Sequence, residues 1–425
     1  MEAWALALVA LSLVAVATIS GRLAGTPVTV AILFVAFGLL VGPETLDGID
    51  VSSSSGTVRS LAEATLALVL FCDASRIDLK QLRRSVDVPL RLLGIGLPLT
   101  IALGAIAAAA IFGVLTLWEA VILGIVLAPT DAALGQAVVS DERVPQRIRQ
   151  GLNVESGLND GICVPLLFAA VAAADVESEI SGGRDAGTLL LEELGYGAVG
   201  GVVAGVLIAL AITQAGRRGL IAAEWRQVIP VAGAALAYGI AIALHGSGFI
   251  AAFVAGAVFR AAYRHDPEEL NRLGEQIGGI LNGITFVLFG AILLGPALAL
   301  LTWELALYAV LSLTLVRMVP VAIAMLGSGA RPATVGFLGW FDPRGLASIV
   351  FAVIVIDESR LPNESLLTVA IYLTVGLSVF AHGLTAAPLA DRYARWFARH
   401  PRDRRPPMED AAAEVTRSRG PKVFV

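Results

Sequence analysis

The chain has 425 residues, of which 57% are hydrophobic and only 15% charged, with a formal net charge of −5. Soluble globular chains carry about 25% charged residues, so this composition excludes that class and calls for lipid as solvent. The two cysteines, Cys72 and Cys163, lie in or beside apolar runs and argue against a disulfide framework, and four histidines are too few for a zinc or di-iron site.

The first twenty residues, MEAWALALVALSLVAVATIS, lack the basic start of a cleaved signal peptide and read as a retained first span. With it, about thirteen apolar segments reach spanning length, each closed by polar, Gly or Pro punctuation. They are 3–20, 26–41, 58–74, 88–114, 118–139, 150–174, 190–214, 228–244, 248–263, 276–296, 303–326, 334–356 and 364–391. His245, in HGSG, is read as a tight extracellular turn, because no Gly-x-Ser-x-Gly accompanies it.

Arginine and lysine separate between alternate loops. RIDLKQLRRSVDVPLR, DERVPQRIRQ, GRRGLIAAEWRQ and RAAYRHDPEELNR hold arginine and lysine, whereas GPETLDGIDVSSSSG, DVESEISGGRDAGTLLLEE and DESRLPNE are acidic and nearly devoid of them. The positive-inside rule makes the first set cytoplasmic, with the N-terminus outside, the C-terminus inside and an odd number of spans. Residues 1–395 form the transmembrane domain, and 396–425 read as a short flexible cytoplasmic tail, too short for a regulatory domain.

Two spans cannot be plain helices. The fifth contains VLAPTDAALG and the twelfth GWFDPRGLASIVF. Proline deletes a backbone donor and disfavours helix at the preceding residue, so both are expected to unwind midway. In a membrane, such backbone is tolerated only where protein buries it or where it lines a cavity. Seven spans apart, the two run in opposite directions. That is the product of inverted repeats, about 1–175 and 228–391, with 190–214 as linker.

Intramembrane polar residues then gather. On a helix at about 100° per residue, Ser156 and Asp160 share one face and Glu155 and Asn159 the next. Gly157 and Gly161 leave room for another backbone. Span five adds Thr130 and Asp131, and span three ends with Asp73. Carboxylate, hydroxyl and carbonyl oxygens suit a hard cation. The residues alone leave alternatives open: a headgroup-facing helix end for Asp160, a structural salt bridge for Asp131 and Arg344, and a helix cap for Asp73. Arg317 reads as snorkelling or ion-paired, without a transport role.

APTDAAL followed by NVESGLNDG, with a later DPRGLASIVF, resembles the sodium/proton exchanger superfamily. The match is nearest the NhaP-type antiporters and their NHE-type relatives, and it covers about residues 1–395. The resemblance implies an all-α, polytopic NhaA/NhaP-like fold with two discontinuous crossing helices and a homodimer of thirteen-helix protomers in the cell (inner) membrane. It makes Asp160 the ion- and proton-binding carboxylate. Thr130, Ser156 and Asp131 complete a Na+ site, with Asp73 nearby. Asn159 stabilises the crossing, and Glu155 pairs with Arg344. Relatives of the electrogenic branch carry Asp-Asp where this chain has Asn159-Asp160, together with a core lysine, so the resemblance implies electroneutral exchange. Ala132 replaces a usual proline, and Asp73 stands where relatives often carry glutamate.

Three classes compete: a Na+(Li+)/H+ or K+/H+ antiporter, a Na+-coupled organic-anion transporter of related fold, and an intramembrane aspartyl protease. The protease lacks a Gly-x-Gly-Asp or Tyr-Asp setting, and the organic-anion carrier needs a larger polar lining. A primary pump would need a nucleotide fingerprint that is not present. The expected protein is therefore a transporter and not an enzyme. It needs no cofactor or nucleic acid, and its partners are a monovalent cation, the proton and the bilayer. An unpaired charge is costly in the membrane, so cation and proton compete for Asp160 and an empty site does not cross.

Overall fold

Apolar runs fold as helices throughout, and the Gly, Pro and polar residues between them mark where helices stop. The computed structural model describes residues 3–23, 26–46, 55–76, 87–131, 134–135, 138, 141–177, 186–263, 267–358, 361–399 and 409, among which there is no strand. In chain order the helices are α1 (Ala3–Leu23), α2 (Val30–Val41), α3 (Ser55–Arg76), α4 (Asp87–Ile111), α5 (Leu117–Val126), α6 (Gln146–Glu177) and α7 (Ala186–Arg217). There follow α8 (Val228–Ala243), α9 (Gly248–Ala262), α10 (267–299, with a π-helical stretch at Phe289–Leu294), α11 (Trp303–Ala324), α12 (Pro332–Trp340), α13 (Leu346–Glu358) and α14 (Glu364–Ala398).

Among the described residues, eight helices are long and apolar enough to cross a membrane: α1, α4, α6, α7, α8, α10, α11 and α14. Four shorter apolar helices join them, namely α2, α5, α9 and the Leu346–Ile356 part of α13. The chain is a multi-pass membrane protein. Helix α10 starts at Pro267, before the expected 276, because its first turns (PEELNRLGEQ) are polar and hydropathy alone passes over them.

Small residues set the closest helix contacts, as expected where lipid gives no hydrophobic drive between helices. A Cβ at Gly201 of α7 would lie 2.6 Å from the Ala251 carbonyl oxygen of α9, and one at Gly205 would lie 2.8 Å from that of Ala255. Between α8 and α9 the chain turns at His245, whose φ of 60° is left-handed, so the expected tight turn is present.

Two anchors fix the ends of the spans that matter most. Thr116 and Glu119 form a capping box at the start of α5. The buried Glu119 carboxylate also accepts the Asn363 backbone N–H at 2.7 Å and its amide at 2.9 Å, joining α5 to the start of α14. In the segment before α6, Arg143 donates to Asp141 and to Asp391 of α14, both at 2.8 Å. The hydrogen bond from Arg143 holds the Asp141 carboxyl below the usual carboxylate range.

Candidate ion-binding site

Span five stops being helical after Val126, three residues before Pro129, and span twelve is unwound from Phe341 to Gly345, around Pro343. The two breaks meet: the Asp131 N–H donates to the Pro343 carbonyl at 2.7 Å. Each break supplies the groups that the other's helix ends lack. Asp131 Oδ2 accepts the Leu346 N–H at 3.1 Å, at the start of α13. Arg344 Nη1 donates to the Ala128 carbonyl at 3.1 Å, just past α5, and Ser348 Oγ donates to the Val126 carbonyl at 2.7 Å. Orphan N–H and C=O groups at helix ends are thereby paired inside the membrane. Gly345 is required here, because a Cβ on it would lie 2.7 Å from Asp131 Cγ.

Helix α6 lays its polar face against this crossing. Ser156 Oγ donates to the Thr130 carbonyl at 2.7 Å, and Asn159 Nδ2 donates to Thr130 Oγ1 at 2.7 Å. Asp160 is buried on the same helix, and its Oδ1 has no hydrogen-bond partner. Thr130, Ser156 and Asn159 are thus brought together directly, with Asp160 next in the chain. Gly157 and Gly161 of this helix face side chains, where the sequence leads one to expect a neighbouring backbone. A methyl at Gly157 would sit 3.5 Å from Asp73 Cβ of α3, and one at Gly161 would sit 2.6 Å from the Phe253 ring of α9.

Below the crossing runs a buried ion network. Arg317 Nη2 bonds Glu155 Oε1 at 2.6 Å, and Arg317 Nε lies 2.6 Å from Asp342 Oδ2. The same Asp342 oxygen accepts from Arg344 Nη1 at 2.7 Å. The expected Glu155–Arg344 pair is therefore corrected: the Arg344 guanidinium is engaged by Asp342 and by the Ala128 carbonyl past the end of α5, and Glu155 pairs instead with Arg317 of α11. Arg317 is 1% exposed, which excludes snorkelling and leaves the ion-paired reading.

Broken, crossing helices beside an Asn-Asp pair are carried by a chain whose residues 8–392 match the family described as sodium/hydrogen exchanger, transmembrane. The chain belongs to the sodium/hydrogen exchanger family. It is 26% identical over 362 residues to Na(+)/H(+) antiporter 2 of Zygosaccharomyces rouxii, covering 77% of this chain and 43% of that protein. To the K(+)/H(+) antiporter NhaP2 of Shewanella oneidensis it is 25% identical over 380 residues, covering 85% of this chain and 63% of the relative. The chain spans less than two thirds of the length of each of these relatives. The fold is similar to that of the sodium proton antiporter MjNhaP1 from Methanocaldococcus jannaschii at pH 8, with a TM-score of 0.72 and 19% identity. That likeness covers 89% of this chain and 98% of the other.

Asp73 lies within the last turn of α3, 4.0 Å from Arg76, which also pairs with Glu275 of α10. It faces Gly157, on the helix that carries Asp160. Between the crossing and the ion network lies a cavity of about 20 Å³, lined by Thr130, Asp131, Glu155, Ser156, Asp342 and Pro343 among others, with room for one water. Ala132, the departure noted in the family motif, lies outside the described residues. In the sequence, Asp342 is marked only as a member of the break. Its adjacency to Pro343 inside an apolar run was the available signal. Ser378 of α14, which accepts the Arg344 N–H at 2.7 Å, had none, since a serine in a long apolar helix is unremarked by composition.

Proposed function

We propose that this chain is a secondary cation/proton antiporter in which Na+ or Li+ and a proton compete for Asp160. One observation carries this reading: a buried carboxylate with an unpartnered oxygen sits beside Thr130, Ser156 and Asn159 where two broken spans cross. An isolated carboxylate is costly in the membrane, so it holds a proton or a dehydrated cation. Hydroxyl, carbonyl and carboxylate oxygens are the ligands a hard cation takes. In this scheme Thr130 and Ser156 contribute oxygens beside Asp160, and Asp131 and Asp73 set the local charge. Asn159 holds the crossing in place, and Glu155 and Arg344 belong to the ion network beneath it. Competition for one site, with the protein moving only when the site is filled, yields exchange without leak. The protein works as a homodimer in the cell membrane, with its C-terminus cytoplasmic.

K+ is the second cation to test, because the relative matched over 85% of this chain is named a K(+)/H(+) antiporter. An organic-anion carrier is disfavoured by a cavity of about 20 Å³. The experiment is a pH-gradient assay on proteoliposomes: Na+, Li+ or K+ added alone should collapse an imposed proton gradient. A requirement for an organic solute would overturn the antiporter reading.

A further inference from the structure

One buried histidine takes no part in the scheme above, and its position spans the break in span twelve. His382, on α14, is 2% exposed. Its ring packs on Trp340, the last residue of α12, at 5.0 Å between centroids, and Trp340 Nε1 donates to Thr385 Oγ1 at 2.9 Å. On its other side, His382 Nδ1 lies 3.1 Å from Ser378 Oγ, the oxygen that accepts the Arg344 N–H. One face of α14 therefore grips both ends of the unwound segment, Trp340 just before it and Arg344 near its close.

Ser378 Oγ receives the Arg344 N–H, so its own proton needs an acceptor. His382 Nδ1 lies 3.1 Å from both the Ser378 hydroxyl and the Ser378 carbonyl, and it accepts the hydroxyl proton when the imidazole is neutral with its proton on Nε2. From Arg344 the connection continues without a gap. The adjacent Pro343 carbonyl holds Asp131 N–H, the Thr130 carbonyl before it holds Ser156, and the Thr130 hydroxyl holds Asn159.

We propose that His382 is a positioning residue for cation binding: through Ser378 it fixes the unwound segment of span twelve, and thereby the Thr130–Asp131 crossing against which Asp160 binds its cation. The proposal rests on the antiporter reading of the site. His382 touches no ion. Its loss lets the crossing shift by a fraction of an ångström, and displacements of that size are large on the scale of ion coordination.

The test is transport by purified protein in proteoliposomes, with apparent cation KM and maximal rate measured separately for His382→Ala, His382→Gln and Ser378→Ala. Glutamine keeps an acceptor oxygen and an N–H. His382→Ala and Ser378→Ala should each raise KM by about fivefold or more, while His382→Gln should stay within about twofold of wild type. A merely structural role would lower the amount of folded protein and the maximal rate while leaving KM unchanged. Wild-type KM in folded His382→Ala overturns the proposal, as does wild-type KM in Ser378→Ala should the histidine variant fail to fold. Failure of glutamine to restore KM overturns it equally. Absence of exchange from the wild-type protein would instead remove the antiporter reading, and this proposal with it.

Discussion

Asp131 and Arg344 each cap the other's broken span: the Asp131 carboxylate accepts the Leu346 N–H at 3.1 Å, and the Arg344 guanidinium donates to the Ala128 carbonyl at 3.1 Å. A helix start carries partial positive charge and a helix end partial negative charge, so an acid at α13 and a base beyond α5 match both. The crossing holds together because each chain break lends its charged residue to the opposite half-helix. This arrangement makes Gly345 the least replaceable backbone position at the site. Gly345→Ala should drive a methyl into the Asp131 carboxylate, lowering thermal stability in detergent and removing most transport. Gly336→Ala is the control, since a methyl there meets nothing within 4 Å. Equal behaviour of the two variants would show that Asp131 does not need its present place.

Asp160→Asn should abolish exchange while leaving a folded, membrane-inserted protein. Asparagine fills the same volume, and the oxygen it retains at Oδ1 has no partner to lose. It cannot release a proton. Substantial Na+-driven proton flux through the purified variant would refute the assignment.

Glu155 and Arg317 should be energetically coupled. Both side chains are 2% exposed and meet at 2.6 Å, so removing either one strands a buried charge, at about 3–5 kcal/mol. Glu155→Ala combined with Arg317→Ala should cost clearly less than the sum of the single changes in thermal unfolding. Arg344→Ala combined with Glu155→Ala should be closer to additive, because those two residues bond different partners. Additive losses for Glu155 with Arg317 would mean that the short contact contributes nothing.

The sequence marks what is local and is silent on what is not. Proline at 129 and 343 announces the two breaks, because proline acts on its own backbone and that of its neighbour. The lone acid at 160 stands out because a bilayer makes any such charge costly. The partner of Glu155 is a different matter. Arg317 lies 162 residues away, and nothing in its surroundings (LTLVRMVPV) says which acid it will meet. Family resemblance supplied Arg344, but in the fold that guanidinium is engaged by Asp342 and the Ala128 carbonyl, and Glu155 meets Arg317. Ser378 and His382 were invisible for the same reason: their roles exist only once α14 lies across the break.

Glu409 offers a test of how far the tail participates. Most of the tail lies outside the described residues, yet Glu409 is 3% exposed. Its Oε1 accepts the Arg331 N–H at 2.9 Å and the Thr334 hydroxyl at 2.7 Å, at the start of α12, where Arg331 provides no side-chain cap of its own. Glu409→Ala should therefore lower stability by about 1 kcal/mol, as loss of a helix cap does. Truncation after residue 400 should produce a similar shift in melting temperature. An unchanged melting temperature in both would show that the cap carries no weight.

The charge inventory of the site bears on stoichiometry. Arg317 and Arg344 are matched by Glu155 and Asp342 in one buried network, so these four carry no net charge. Asp131 is engaged at the start of α13, and Asp73 lies near Arg76 on α3. Asn159 cannot titrate, arginine stays protonated, and the chain's lysines, Lys80 and Lys422, belong to no apolar segment. Asp160 is left as the carboxylate free to trade a proton for a cation. On the proposed antiporter reading, one proton should leave as one Na+ enters, and no net charge should cross. A potassium–valinomycin potential imposed on proteoliposomes should accordingly leave the equilibrium Na+ gradient at a given pH gradient unchanged. If that equilibrium shifts with voltage, Asp131 or Asp73 must carry a second proton, and the one-carboxylate cycle cannot stand.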